Sequence, residues 1–223
     1  MTPTRGAAEP MQERARRTRR AILLAAAEAF AENGYLATTT SDIAARAGVT
    51  KGALVFHFPA KAGVAVAIVE ECYEQWPTVV ADARLRHERM TEVIGEVLHR
   101  VAMQIREDPI VRATVRLQAE RALIGEPVRT PHVAWTAAMT ELFQAAERRG
   151  ELRSGADPAV LGRVVVASFH GVQHVSGSLS GHADVGERVA EWWAVFRAGF
   201  EAGPETESET GSETESEAES EAE

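Results

Sequence analysis

The side chains best suited to a recognisable chemical role lie between Thr38 and Lys61, in the stretch TTTSDIAARAGVTKGALVFHFPAK. Lys51 can donate hydrogen bonds to guanine O6 and N7 or to a phosphate, and Lys61 suits a phosphate on the flank. Gly52 and Ala53 are small enough to let a helix approach the bases, and Ala53 can also contact a thymine methyl. The stretch therefore predicts a surface that reads double-stranded DNA.

Two short helices joined by a tight turn must position these residues. The sequence predicts helices over 41–47 and 51–57, with Thr40 capping the first and Thr50 capping the second. Gly48 supplies the turn, because glycine adopts a positive φ without steric cost. The outer face of the second helix then carries Lys51, Gly52, Ala53, Phe56 and His57. This is a helix-turn-helix, whose second helix enters the major groove.

Charge is distributed unevenly along the chain. The formal net charge is −9, but residues 201–223 hold ten glutamates and no lysine or arginine, so the remainder carries +1. Residues 1–61 contain nine Lys/Arg and five Asp/Glu, which gives +4. Five arginines there are candidates for contacts with the DNA backbone or minor groove: Arg14, Arg16, Arg17, Arg19 and Arg20. The N-terminal segment is thus basic, as a nucleic-acid partner requires.

Apolar periodicity predicts an all-α fold with a three-helix head and a larger helical body. The first helix runs from Arg14 to a stop at Asn33-Gly34. Beyond the helix-turn-helix, helices are predicted over 60–83, 89–106, 109–123, 132–149, 157–177 and 184–200. Asp108-Pro109 and Asp157-Pro158 mark two helix starts, because Asp caps and proline in the first turn loses no hydrogen bond. The predicted organisation is a disordered arm over 1–13, a DNA-binding domain over 14–60, a ligand-binding and dimerisation domain over 61–202, and an acidic disordered tail over 203–223.

The acidic tail repeats Glu with Ser, Thr or Ala and has no apolar face to bury, which is typical of disorder. Two interpretations are open for it. The tail can act as a solubilising segment, or as a polyanion that competes with DNA for the basic head.

Other classes of function are disfavoured by what the sequence lacks. Cys72 is the single cysteine, which excludes an intramolecular disulfide and a cysteine-based zinc cluster and fits a reducing cytoplasm. No apolar run approaches the ~18 residues of a membrane span, and the start lacks a signal-peptide core. Phosphate-binding glycine loops, nucleophile elbows and HExxH motifs are also missing. We expect a cytoplasmic, nucleoid-associated protein that is not an enzyme and uses no cofactor.

His170 and His174 are four residues apart on a predicted helix, so both can point to one face and bind a metal together. Two ligands do not make a closed site, and no third is evident. The spacing favours instead a place in the lining of a pocket or at a dimer seam.

The segment FAENGYLATTTSDIAARAGVTKGALVFHFPAK resembles the DNA-binding domain of the TetR family of bacterial transcriptional repressors over about fifty residues, Thr18 to Ala67. The resemblance implies an all-helical homodimer that binds a palindromic operator. It places DNA contacts at Thr40, Thr50, Lys51, Gly52, His57 and Lys61; the outer-face residues Ala53 and Phe56 complete the predicted set. One departure is Val55, where the family usually has a tyrosine whose hydroxyl reaches a phosphate.

The chain is also similar to the γ-butyrolactone-type autoregulator receptors of antibiotic-producing actinomycetes. Four stretches carry this resemblance: VTKGAL-FHF in the head, and DPIVRATVRLQAER, HVAWTAAM and ASFHGVQHVS in the body. That branch has a buried tryptophan against its ligand, and the matching residue is Trp135, for which an ordinary core role is the alternative. The predicted ligand-binding residues are Tyr73, Gln118, His132, Trp135 and His170. The predicted apolar lining is Val111, Val115, Val133 and Met139. A lactone, butenolide or furan with an alkyl tail needs such a slot, with a flat wall and a few polar groups.

The last two helices are expected to form the homodimer interface, since the resemblance implies that they pair with those of a second chain. Its apolar residues are expected to be buried there: Val189, Trp192, Trp193, Phe196 and Phe200. The sequence thus predicts a repressor released by a small autoregulator that controls secondary metabolism. The alternatives are a repressor that senses an antibiotic or other cytotoxic compound, and a ligand-independent architectural DNA binder.

Overall fold

The computed structural model describes residues 8–130 and 132–202 of the 223-residue chain. Over these ranges the chain forms α-helices joined by short loops, one 3-10 helix (Arg121–Leu123) and an isolated β-bridge between Leu152 and Glu201. The helices are α1 (Ala8–Ala37), α2 (Thr40–Arg46), α3 (Lys51–His57), α4 (Lys61–Glu74), α5 (Trp76–Arg86), α6 (Met90–Glu107), α7 (Pro109–Ala119), α8 (Val133–Arg148), α9 (Pro158–Ser180) and α10 (Val185–Ala198). The predicted all-α fold is confirmed.

Helix α1 begins before the expected start at Arg14, so residues 8–13 of the expected arm are helical. Pro10 lies in the first turn, where its missing N–H removes no helical hydrogen bond. The residues that follow, MQERARR, are mostly good helix formers. The rest of the expected arm, 1–7, and the acidic tail, 203–223, lie outside the described residues.

The segment expected as one helix over 60–83 is two helices, α4 and α5, that meet at Gln75. Pro77 explains the break, because its ring lacks an N–H and clashes with the carbonyl one turn earlier in a continuous helix. The break places Trp76 at the start of α5.

The first short helix of the head is capped by Thr39 and not by Thr40 as predicted. The Asp42 N–H donates to Thr39 Oγ1 (3.1 Å), and the Thr39 N–H donates to Asp42 Oδ2 (2.9 Å). This capping box requires the acidic residue three positions after the cap, which selects Thr39. Thr40 is instead the first residue of α2.

The turn and the second cap follow the prediction. Gly48 has a φ of 65°, and the Ala53 N–H donates to Thr50 Oγ1 (3.1 Å) at the start of α3. Ile43, Leu54 and Phe58 are buried and fix the two helices against α1. The outer face of α3 is left open to a partner.

A hydrogen-bonded joint connects the head to the body. Helix α1 packs along α7, and the Tyr35 N–H donates to Glu120 Oε2 (2.6 Å). Arg116 Nη1 donates to the Ala31 carbonyl (3.2 Å), while its Nε donates to Glu120 Oε1 (3.0 Å). Gly34, at a φ of 80°, lets this pair approach, because an added Cβ would lie 2.8 Å from Arg116 Nη2. We call these contacts the α1–α7 joint.

In the body, the predicted Asp caps are present, since the Ile110 N–H donates to Asp108 Oδ1 and the Ala159 N–H to Asp157 Oδ1. Helix α6 is capped differently, by a carboxylate distant in sequence. Buried Glu151 accepts from the backbone N–H groups of Met90 (2.9 Å) and Thr91 (2.9 Å). Sequence patterns did not reveal this cap, because its partners lie about sixty residues apart.

The last helix differs from expectation. Val189, Trp193 and Phe200 are buried against the rest of the same chain, and a Cβ at Gly95 on α6 would overlap the Trp193 indole. Trp192 and Phe196 are half-buried and stack at 5.5 Å. The periodic apolar face therefore covers the chain's own core. Separate apolar residues are exposed on α9 and α10: Val160, Val164, Val175, Leu179 and Val195.

By length and apolar composition, no single helix in the described ranges can cross a membrane, whereas the bent pair Lys51–His57 and Lys61–Arg86 satisfies the same criteria.

Candidate functional site

The outer face of α3 presents the side chains that the sequence assigns to DNA. Lys51, Gly52 and Phe56 are exposed, with Phe56 81% accessible, while Ala53 and His57 are half-buried. The His57 ring packs edge-on against Phe56, with centroids 5.3 Å apart. A cation, small residues and an apolar ring thus lie on one face of a helix, and the major groove of DNA is wide enough to admit a helix.

Lys61 has a different environment from the one expected for a phosphate ligand. Its Nζ donates to the carbonyl oxygens of Tyr35 (2.6 Å) and Thr38 (2.8 Å) and lies 4.2 Å from the centre of the Tyr35 ring. Burial lowers the pKa of its ammonium group below the usual value. Two of its three donors are therefore used inside the head, where they tie α4 to the end of α1. Thr40 is half-buried at the start of α2.

The arginines of α1 continue the basic surface. Arg14, Arg16 and Arg17 are exposed on the helix. Arg19 lies over the Phe58 ring at 5.1 Å, and Arg20 pairs with Glu71 on α4. The first three therefore remain the stronger candidates for backbone contacts.

A cavity in the body brings all five predicted ligand-binding residues together. Its wall is built from α4 to α9 and includes Tyr73, Gln118, His132, Trp135 and His170. Its volume is about 60 Å³. The walls are therefore close together.

Trp135 forms the centre of an aromatic wall. Its ring lies 5.3 Å from Trp76 and 4.8 Å from Phe169, measured between centroids. Its indole Nε1 is buried and has no hydrogen-bond partner among the described residues. An unpaired buried donor costs free energy, so this N–H is available to an acceptor on a ligand.

His132 and His170 form a pair in the same wall, with ring centroids 3.9 Å apart. His132 has a φ of 74°, a left-handed conformation that is strained for a residue with a Cβ. His170 Nε2 is buried and unpaired in the described part of the chain. Burial, together with the neighbouring His132, lowers the pKa of His170 to about 4. Partial burial, together with the charge of Arg121, also lowers the pKa of His132.

His174 does not join this pair. It is exposed on α9, whereas His170 lines the cavity, so the two histidines do not share the environment that a joint metal site would need. In the residues that the structure describes, no group of three or more His, Cys, Asp or Glu side chains is arranged to hold a metal.

Tyr73 and Gln118 supply a second polar point. Gln118 Nε2 donates to the Tyr73 hydroxyl oxygen at 2.7 Å. The Tyr73 hydroxyl proton is then free to be donated to a ligand. Burial raises the pKa of Tyr73, so it stays protonated.

The apolar lining was predicted in part. Val111 and Val115 line the cavity, but Val133 is 66% exposed and Met139 is buried outside the lining. Both misassigned residues lie on α8. Val133 is two residues from Trp135 and lies on the opposite side of the helix, whereas Met139 lies on the same side as Trp135 but one turn further along. The sequence interpretation missed nine other lining residues, among them Trp76, Gln104, Thr114 and Phe169. For Trp76, the helix break at Pro77 was the signal in the sequence that could have identified it.

Replacing His170 by phenylalanine is expected to weaken the acid sensitivity of the fold. The pKa of about 4 lies below the ordinary value of 6.5, so the unfolded chain binds the extra proton between these values. The free energy of unfolding of the parent protein should therefore fall as pH drops from about 6.5 towards 4, by at most about 3 kcal/mol. Urea titrations at several pH values measure this. Equal pH slopes for His170→Phe and the parent would contradict it, and exposed His174→Phe is the control.

Comparison with known proteins assigns the head and the body to known families of domains. Residues 22–68 match the model of bacterial regulatory proteins of the tetR family, and residues 90–200 match a tetracyclin repressor-like C-terminal domain. The A-factor receptor protein of Streptomyces griseus is 37% identical over 182 residues, which cover 82% of this chain and 63% of the relative. The chain thus spans less than two thirds of that relative's length.

Two solved structures are similar over nearly their whole length. One, from work on the control of antibiotic production by bacterial hormones, is 43% identical with a TM-score of 0.79, covering 83% of this chain and 98% of that one. The other, a γ-butyrolactone receptor (ArpA-like protein), is 31% identical with a TM-score of 0.72, covering 84% and 90%. These matches are regulatory proteins and not enzymes, in agreement with the predicted class of function. The helix-turn-helix head, the helical body and these matches together show that the chain belongs to the TetR family of bacterial regulatory proteins.

Proposed function

We propose that this protein is a dimeric repressor that binds a palindromic operator and is released by a small, uncharged autoregulator of the γ-butyrolactone, butenolide or furan type. The observation that carries the proposal is the cavity around Trp135, which offers a flat wall and unpaired polar groups. Two of the helices that line the cavity, α4 and α7, also pack against α1 of the head.

The chemistry of the wall supports an uncharged ligand. Among the described residues that line the cavity there is no Asp, Glu, Lys or Arg, and His170 is neutral at physiological pH. Trp135 Nε1 and the Tyr73 hydroxyl can donate to a ring or carbonyl oxygen. The remaining wall is largely aliphatic and aromatic, which suits an alkyl tail.

The narrowness of the cavity supports a coupling between ligand and DNA. Sites for drug-sized ligands usually have volumes of about 300–1,000 Å³, several times the roughly 60 Å³ of this cavity, so the walls must separate to admit one. Tyr73 moves with α4, whose first residue, Lys61, holds the end of α1. Gln118 moves with α7, which forms the α1–α7 joint. Opening the cavity therefore reorients the head, provided the two states differ in ligand affinity.

Two heads must lie about one DNA turn apart, ~34–36 Å, to occupy successive major grooves. The exposed apolar residues of α9 and α10 are suited to pairing with a second copy, because surface patches of this kind mark interfaces. The names of the relatives support a role in the control of secondary metabolism. We place this action on DNA in the cytoplasm.

The test is a gel-shift titration of the purified protein on the DNA upstream of its own coding sequence. Binding, followed by release with a panel of lactones, butenolides and furans, is the expected result. Lys51→Ala is the matched control and should weaken binding without altering the fold, because Lys51 is exposed. Release only by antibiotics would favour the cytotoxic-compound sensor, and binding that no compound affects would favour an architectural role.

Replacing Val55 by tyrosine is expected to tighten operator binding. Val55 is exposed on α3, at the position where the family usually presents a phosphate-binding hydroxyl. One added hydrogen bond contributes up to about 1 kcal/mol. A fluorescence-anisotropy titration at fixed salt measures the change, and Val55→Phe controls for the ring alone. Weaker binding of the tyrosine variant would refute this assignment.

A further inference from the structure

A basic groove lies on the body, separate from the ligand cavity. It runs between the end of α5 and the end of α8 and is lined by Arg84, His87, Arg148 and Arg149, with Met90 at its floor. One acidic residue, Glu88, also lines it, and the Glu88 carbonyl oxygen accepts from Arg149. In the described part of the chain, neither Arg84 nor Arg148 forms a salt bridge. His87 Nδ1 lies 3.6 Å from Glu92 Oε2, whereas Arg84 and Arg148 are cations of the groove that lack an anionic partner among the described residues.

The acidic tail begins beside this groove. The N–H of Ala202, the last described residue, donates to the Glu151 carbonyl at 2.9 Å. Glu151 is two residues from Arg149, and its carboxylate binds the N–H of Met90. Consecutive Cα atoms are 3.8 Å apart, so the start of the tail and the groove are neighbours on the surface.

The first glutamate of the acidic run already shows this kind of pairing. Glu201 Oε1 lies 2.8 Å from Arg89 Nη2, and its Oε2 lies 3.3 Å from Arg197 Nε. Thr91 Oγ1 also donates to Glu201, at 2.9 Å. Nine more glutamates follow in residues 203–223, again without lysine or arginine.

We propose that the acidic segment 203–223 docks in cis into the basic groove formed by Arg84, His87, Arg148 and Arg149. Charge complementarity favours the contact, and the tether gives the segment a high effective concentration at the groove, of order mM for a short flexible linker. The segment is also long enough, since 21 residues span up to about 70 Å when extended. Docking there neutralises part of the polyanion and keeps it from repelling DNA at the head.

Methionine methyl groups provide reporters at both surfaces in the full chain. Met90 lies at the floor of the groove, and Met11 lies beside the arginines of α1. A nitroxide spin label on Ala218→Cys would report where the tail is. Cys72 is buried, and burial raises its thiol pKa to about 11, so the label selects position 218.

The expected result is loss of the Met90 methyl NMR signal with retention of the Met11 signal. The Met90 signal should return at 1 M salt, where the screening length falls to about 3 Å. It should also return in the Arg84→Glu/Arg148→Glu variant, but not in Arg106→Glu, an exposed arginine at the far end of α6. Loss at Met11 alone would assign the tail to the DNA-binding face and overturn the proposal. Retention of both signals would identify a solvating tail and overturn it as well.

Mixed samples distinguish docking of the tail within its own chain from docking onto a second copy. Spin-labelled protein without isotope is combined with isotope-labelled protein without a spin label. An unchanged Met90 signal supports docking in cis, whereas loss of that signal places the tail on the partner and overturns the proposal.

Discussion

Replacing Trp135 by alanine is expected to weaken binding of the proposed autoregulator by roughly 100-fold, or about 3 kcal/mol, as for a central tryptophan of a binding site. The substitution removes the flat wall between Trp76 and Phe169 and leaves a void that the ligand does not fill. Release of operator DNA should then need a correspondingly higher ligand concentration. Isothermal titration calorimetry and the gel-shift assay measure the two effects.

Trp135→Phe separates the wall from the indole N–H. Phenylalanine keeps an aromatic surface but removes Nε1, which has no partner among the described residues. We expect about a tenfold loss of ligand affinity, the value of one hydrogen bond, with a much smaller loss of folding stability than in the alanine variant. Trp76→Phe is the matched control. Unchanged affinity in Trp135→Phe would show that the indole N–H does not bind the ligand.

Replacing Glu151 by alanine is expected to lower the free energy of unfolding by about 3 kcal/mol, since hydrogen bonds to a charged group contribute ~1.5–3 kcal/mol each. The carboxylate accepts from two buried N–H groups at the start of α6, where the helix dipole also favours a negative charge. Without it, these donors lie in the core without an acceptor. Urea unfolding at pH 7 measures the change.

Glu151→Gln sharpens that prediction. Its single amide oxygen can accept from only one of the two N–H groups, and it carries no charge, so an intermediate loss is expected. Glu147→Ala, at an exposed position on α8, should change stability by less than about 0.5 kcal/mol. A loss in Glu151→Ala no larger than in this control would mean that water replaces the carboxylate.

The local signals in the sequence predicted most of the fold. Asp108-Pro109, Asp157-Pro158, Gly48 and Thr50 act on their own neighbours within the chain, and all four hold the structures expected of them. The break at Gln75 is also a local effect, of Pro77, but the continuous apolar face of 60–83 concealed it. Contacts between distant segments were not accessible to this reasoning, and the Glu151 cap is the main example.

The candidate site shows the same division. Tyr73, Gln118, His132 and Trp135 were inferred from a family resemblance and His170 from its helical spacing, and the structure places all five around one cavity. Their roles in binding remain predictions. Apolar periodicity identified the buried face of α10 but not the surface that covers it, which is why Trp193 was assigned to a partner chain and lies instead against α6.

The α1–α7 joint bears on the construction of hybrid sensors. A chimaera cut between residues 60 and 61 would take Gly34 and Tyr35 from one parent and Arg116 and Glu120 from the other. A foreign side chain at position 34 would meet the Arg116 guanidinium, and a foreign residue at 120 would leave the Tyr35 N–H without its acceptor. A graft that transmits its signal therefore has to carry both halves of this joint, so the exchangeable unit is larger than the helix-turn-helix.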